Sequence, residues 1–172
     1  MLTQSVVVLF FLLNIALFWQ FVYGGKFKSY RYVGVMLFFL LPIISVFFAQ
    51  PRFELDYFWW IIAGYFLLAA GIAGLILAGK EFKGINPLDL PGETLITSGP
   101  YNWLRHPQYL SAIFIFIGWW WIFAAVYSFY FGMIIIATIW LNAYLEEKIL
   151  LQKKFGQKYA EYQISAGMFW VK

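Results

Sequence analysis

The sequence has no cysteine and a single histidine, and fewer than one residue in eight is charged. Without cysteine there are no disulfides, no thiol nucleophile and no thiolate metal site. One histidine argues against a histidine-built metal centre, since such sites recruit several ligands. Charged residues at 12% against 63% hydrophobic exclude an ordinary soluble domain. From Pro107 to Leu145 there is no charged side chain at all, and the run ends on Glu146-Glu147. As one helix its 39 residues would reach roughly 58 Å, about twice a hydrocarbon core of ~30 Å. The run is therefore expected to fold back as a hairpin of two membrane helices, turning near Ala124–Ser128. Arg105-His106 and Glu146-Glu147 then return to the same membrane face.

What the sequence does have is apolar length. The fold class expected is all-α, a single polytopic bundle of about five transmembrane helices with a cytoplasmic C-terminal amphipathic helix. Three N-terminal spans are expected within residues 1–79: Leu2–Tyr23, Tyr32–Gln50 with a kink at Pro42, and Tyr57–Gly79. Leu2–Tyr23 lacks the basic start and small-x-small cleavage site of a signal peptide, so it reads as a span. Gly64, Ala70, Gly71, Gly74 and Ala78 give the third span a small-residue side suited to close helix packing. Residues 80–106 form a polar, proline-containing loop of the length that usually carries function. The hairpin at 107–145 follows, with Trp119-Trp120-Trp121 near the far interface. In the segment 146–172, Leu150, Leu151, Phe155, Tyr159 and Tyr162 fall roughly on one side of a helix. Aromatics make up 24% of the chain, more than interfacial belts require, so most are packing or lipid-facing residues.

Five spans place the termini on opposite sides. With the Lys26–Lys28 loop inside, 11 of the 12 basic residues lie on the cytoplasmic side and only Arg52 lies outside. That bias orients the chain with its N-terminus out and its C-terminus in. The long loop, both hairpin ends and the tail share the cytoplasmic face.

The chemistry is expected there. Pro107 suits a first helical turn, so His106 sits at a helix start. A helix N-terminus flanked by Arg105 and His106 suits a carboxylate or phosphate. Glu146 or Glu147 can accept from a hydroxyl pair or an amine. Tyr101, Trp103 and Tyr109 offer aromatic faces to a purine or a cation. S-adenosyl-L-methionine combines an anionic end, a cationic centre and a nucleoside. An Arg–Glu pair joining two helix ends is an equally simple structural reading of the same residues.

Gly99-Pro100-Tyr101, Arg105-His106-Pro107-x-Tyr109, Glu146-Glu147 and Phe155-Gly156-x-x-Tyr159-x-x-Tyr162 stand in this order. Together they resemble the isoprenylcysteine carboxyl methyltransferase family, whose phospholipid-methyltransferase relatives share the pattern. The resemblance implies S-adenosyl-L-methionine as methyl donor and a lipophilic or lipidated acceptor arriving from the bilayer, with no nucleic-acid partner. It implies a cofactor pocket lined by Gly99, Tyr101, His106, Pro107, Tyr109, Glu146 and Glu147, with Arg105, His106 and Glu147 in catalytic roles. Three departures stand out. Ser111 occupies a position that is often glycine in the family. The first family glutamate commonly lies eight residues before the Phe-Gly pair, whereas here Glu147 is eight and Glu146 nine before Phe155; either one residue has been inserted, or Glu147 matches the first family glutamate and Lys148 replaces the second. Asn142-Ala143-Tyr144 lacks the upstream arginine of prenylcysteine enzymes. Two other readings compete: a nicotinamide-dependent membrane reductase of related architecture, and a non-catalytic lipid-binding membrane protein.

Overall fold

A computed structural model describes residues 42–54, 58–82 and 94–172, with Leu9, Leu12, Ala16 and Leu40. The first expected span and most of the second lie outside the described residues. The described residues form helices: α1 Trp59–Lys80, α2 Pro107–Ile122, α3 Val126–Leu145, α4 Gln152–Phe155 and α5 Gln157–Ser165. A π-helical segment, Glu146–Leu151, joins α3 to α4 without a break. Short 3-10 turns occupy Ser45–Phe47 and Gly99–Asn102.

Two described helices are long and apolar enough to cross a membrane, Trp59–Lys80 and the continuous Val126–Phe155. The first, at 22 residues, is about 33 Å long and matches a ~30 Å core. It is apolar on every side, and Phe58, Trp59, Ile62, Phe66 and Ile76 are exposed, as a lipid-facing helix requires. The second, at 30 residues, is about 45 Å long and outreaches the core. Leu145, where a span was expected to stop, is thus not a helix end. Helix α2 has 16 residues, about 24 Å.

The chain divides into two compact units. The first comprises Met1–Tyr65 and Phe116–Ile135. Its turn between α2 and α3 places Ala124 at φ 48°. Backbone bonds from Phe53 N to Ala124 O (2.8 Å) and from Val126 N to Pro51 O (3.2 Å) brace that turn. Arg52 donates to the carbonyls of Phe123 and Val46. Gln50 donates to Ser45 O at 2.8 Å and accepts from Ser128 N at 3.0 Å. The indoles of Trp119 and Trp120 donate to Ile43 O and Pro42 O. Most buried polar groups described here are partnered, as an apolar surrounding demands; the Trp121 indole nitrogen is buried with no hydrogen-bond partner among the described residues.

The second unit comprises Phe66–Ile115 and Ile136–Lys172 and contains the candidate site. Here the small residues of α1 admit α2. A Cβ on Gly71 would lie 2.7 Å from Ser111 O and 2.8 Å from Ile115 N. One on Gly74 would lie 2.5 Å from Ser111 Oγ. Ser111 is thus accommodated by glycines across from it, and its hydroxyl donates back to Pro107 O at 2.7 Å. Ala78, Phe82 and Tyr101 form one buried cluster, and Tyr159, Tyr162 and Ala166 another, with Leu95, Leu151 and Phe155 packed on it. Leu151, Phe155, Tyr159 and Tyr162 thus turn inward as their spacing predicts, whereas Leu150 is exposed. Gly156, at φ 53°, makes the bend between α4 and α5 in a conformation that glycine adopts readily.

Candidate active site

Each side chain of the site is delivered by an identifiable piece of backbone. Pro107 opens α2, so Arg105 and His106 lie just ahead of a helix whose first carbonyl bond, Leu110 N to His106 O, is 3.1 Å. The C-terminal tail runs alongside. Gly167 N donates to Trp103 O, Arg105 N to Gly167 O and His106 N to Met168 O, at 3.0, 2.8 and 3.3 Å. On the returning helix, Gln152 N bonds Glu147 O five residues back. This π closure contains one more residue than an α turn, and π segments of this kind concentrate at functional sites. A closure of this kind accommodates one extra residue without breaking the helix. More residues per turn also mean less rotation between neighbours, and both glutamates reach the start of α2.

Glu147 is the hub. Its Oε1 accepts from Arg105 Nε at 2.8 Å and faces His106 Nε2 at 3.0 Å. Its Oε2 accepts from Gln163 Nε2 at 3.0 Å. His106 and Glu147 are both buried, with 6% and 7% of their side chains accessible. Arg105 also donates through Nη1 to the carbonyls of Gln163 and Ala166, at 3.2 and 3.1 Å. Glu146 makes a separate contact: Tyr109 Oη donates to its Oε2 at 2.9 Å and accepts from Asn142 Nδ2 at 2.9 Å. The His106 ring stacks on Tyr109, with centroids 5.3 Å apart and planes at 12°. Phe169 approaches the same imidazole at 6.1 Å.

The structure therefore brings Arg105, His106, Tyr109, Glu146 and Glu147 together, with Pro107 framing the helix start. Gly99 and Tyr101 sit in the adjoining turn. Gly99, at φ 57°, lies against the Glu81 side chain, which accepts from Ser98 Oγ. The Tyr101 ring packs on Phe82, and its carbonyl accepts Tyr162 Oη at 2.6 Å. Burial raises the Tyr101 phenol pKa, and the nearby Tyr162, Glu146 and Glu81 add to it. Burial pushes the Tyr162 phenol up to about 12, with Arg105 opposing and Glu147 adding. Both phenols are protonated donors at neutral pH.

Three contributors were not anticipated as site residues. Asn142 had a visible signal, a lone amide in an apolar helix four residues before Glu146, on the same face. Gln163 and Phe169 had none, because their positions depend on the Gly156 bend and on the pairing of the tail with Trp103–His106. As chemistry, the cluster offers one unpaired carboxylate (among the described residues), a carboxylate–imidazole pair and an aromatic stack. Such groups suit a cationic centre and a proton acceptor.

The protein-family model for phospholipid methyltransferases matches residues 30–158. No curated protein and no solved structure matches the chain. The family match spans α1, α2 and α3 and includes Arg105, His106, Tyr109 and both glutamates. With that coverage, this chain belongs to the phospholipid methyltransferase family.

Proposed function

We propose that this protein is an S-adenosyl-L-methionine-dependent methyltransferase that methylates the amine of a lipid headgroup at the cytoplasmic face. The observation that carries the choice of an amine is the distribution of charge. Arg105, the cation that a carboxylate acceptor would need, is committed to Glu147 and to two carbonyls. Glu146 receives a phenol and, among the described residues, no basic side chain. The unbalanced charge of the site is negative, which favours an ammonium group over a carboxylate. The absence of an upstream arginine at Asn142–Tyr144 points the same way.

The donor set suits the cofactor, with carboxylates for a sulfonium and amine and aromatic faces for a base. When bound, S-adenosyl-L-methionine supplies an electrophilic methyl group on a positively charged sulfur. The chain supplies proton acceptance and position. Glu146, oriented by Tyr109 and Asn142, holds the headgroup ammonium. His106 donates through Nε2 to Glu147, which leaves Nδ1 with the lone pair that can take the ammonium proton. Glu147 then stabilises the imidazolium at 3.0 Å. Phe169 approaches the buried imidazole and limits water there.

The test is transfer of a labelled methyl group in proteoliposomes containing phosphatidylethanolamine, with a prenylcysteine acceptor in parallel. Label in the amine lipid, lowered at least a hundredfold by His106→Ala, is the expected result. Label only as an alkali-labile ester on the prenylcysteine would overturn the amine assignment. A thermal titration adds the donor: S-adenosylmethionine and S-adenosylhomocysteine raise the melting temperature and NADPH does not. Stabilisation by NADPH alone would make the protein a reductase.

A further inference from the structure

The apolar face of α5 is turned inward, with Tyr159 and Tyr162 buried and Leu151 and Phe155 packed against them. Large apolar side chains nevertheless remain outside that cluster. Ile164 is 77% exposed, Trp170 and Val171 are each 65% exposed, and Trp103 is 62% exposed. They gather at one end of the unit. Gly167 N donates to Trp103 O at 3.0 Å, and Leu104 bridges Gly167, so the tail that carries Trp170 pairs with the segment that carries Trp103. Lys172 Nζ donates to Gln163 O at 2.6 Å, which brings the last residue back to the neighbour of Ile164. A surface in water rarely keeps this many large apolar groups together without a use.

Their depth follows from the helices that frame the site. The charge-free run begins at Pro107 and stops at Leu145, so hydrocarbon ends near His106 on one helix and near Glu146 on the other. The returning helix continues to Phe155, about 12 Å beyond Glu147, and its outer end carries the exposed Lys153 and Lys154. After the bend at Gly156, α5 runs back along it. Gln163 meets the Gln152 side chain at 3.3 Å and Glu147 at 3.0 Å. Ile164 therefore returns to the level of Glu147, and the tail stays there through its pairing with Trp103–His106. The lysines of the bend stand out in water, and the patch stands at the edge of the hydrocarbon. Indoles among aliphatic side chains and a lysine are the composition that settles at headgroup depth.

We propose that Trp103, Ile164, Trp170 and Val171 form an interfacial patch that seats the C-terminal tail in the lipid headgroup layer bordering the site. The occupant is lipid, because the patch lies at the depth where α2 and α3 leave the hydrocarbon. The same tail carries Phe169, whose ring meets the His106 imidazole at 6.1 Å between centroids. Seating the tail thus holds the imidazole at the depth of lipid headgroups. The patch needs neither a methyl donor nor an acceptor, so it stands apart from the function proposed above.

The chain has no cysteine, so one introduced cysteine carries one fluorophore. Ile164→Cys, Val171→Cys and Lys158→Cys, each labelled with an environment-sensitive dye in the full-length protein, are placed in lipid nanodiscs, where both membrane faces meet the buffer. Labels at 164 and 171 are expected to be quenched by iodide about fivefold less than the label at 158, and to be quenched by lipids spin-labelled near the headgroup. Trp103→Ala and Trp170→Ala together should then expose the label at 171 to iodide. All of these positions are exposed, so the substitutions disturb folding little. Equal iodide quenching at 158, 164 and 171 would overturn the patch. So would protection from iodide with no effect of the spin-labelled lipid, since protein and not lipid would then cover these residues. A label at 171 that stays shielded without both indoles would show that they do not seat the tail. No donor or acceptor is present, so each of these outcomes leaves the methyltransferase reading intact.

Discussion

Adjacent glutamates do different work because the π segment presents them to different partners. Glu147 has three side-chain donors and is one half of a nearly dry ion pair with Arg105. Removing its charge leaves a guanidinium without a counter-ion where water has little access. Glu147→Gln is therefore expected to destabilise the protein by about 3–5 kcal/mol. Glu146 has one phenolic partner and stands apart from the ion pair. Glu146→Gln should change stability by less than about 1 kcal/mol and still lower methyl transfer by about a hundredfold. Unfolding curves and turnover measured on the same two preparations separate the roles. Equal stability losses would show that the glutamates act as one unit. At this scale the sequence was informative where a motif met a helix end, as at Arg105-His106-Pro107. The exposed patch was not legible, because Ile164 and Trp170 are isolated apolar residues beyond the helical spacing of the segment, and only the fold gathers them near Trp103.

Helix α1 was expected at Tyr57–Gly79 and is found at Trp59–Lys80, because an uninterrupted apolar run ending on a lysine marks its own bounds. The turn after α2 lies at residues 123–125, a little earlier than the expected Ala124–Ser128, with α3 beginning at Val126. The continuation past Leu145 was not legible in the same way. Charge at Glu146-Glu147 marks where hydrocarbon should end, and a helix can carry on beyond that boundary. The offset of the acidic pair was visible in the sequence, but spacing alone does not say whether an extra residue becomes a loop or a π turn. Contact between α1 and α2 in the second unit rests on glycine at one position more than at the others. A Cβ at Gly71 meets backbone atoms of Ser111 and Ile115, which cannot move aside singly, whereas one at Gly79 meets nothing within 4 Å. Gly71→Ala is expected to cost about 1–3 kcal/mol. Gly79→Ala should be neutral or stabilising by up to about 1 kcal/mol, as thermal unfolding of the pair will show. A tolerated Gly71→Ala would mean that the helices separate more easily than this contact implies.

For the whole molecule, the decisive question is how many times the chain crosses the bilayer between Glu54 and Lys158. The charge bias expected for five spans, 11 basic residues against one, argues for an odd number, with residues 54 and 158 expected on opposite faces. Helix α2 is the element on which this turns, since its 16 residues fall short of the ~20 that usually span. If α2 crosses, Glu54 and Lys158 are separated by three crossings. If it only dips into one leaflet, they are separated by two and share a face. The chain lacks cysteine, so single-cysteine variants report only their own position. Both residues are exposed, so substitution disturbs little. In intact cells, Glu54→Cys is expected to react with a membrane-impermeant maleimide, and Lys158→Cys only after permeabilisation. Labelling of both from one side would make α2 re-entrant. Reversed labelling would turn the protein over, putting the Arg105–Glu147 site outside, away from the cytosolic supply of a nucleoside methyl donor. The geometry of the site could stand in that case, and the function proposed for it could not.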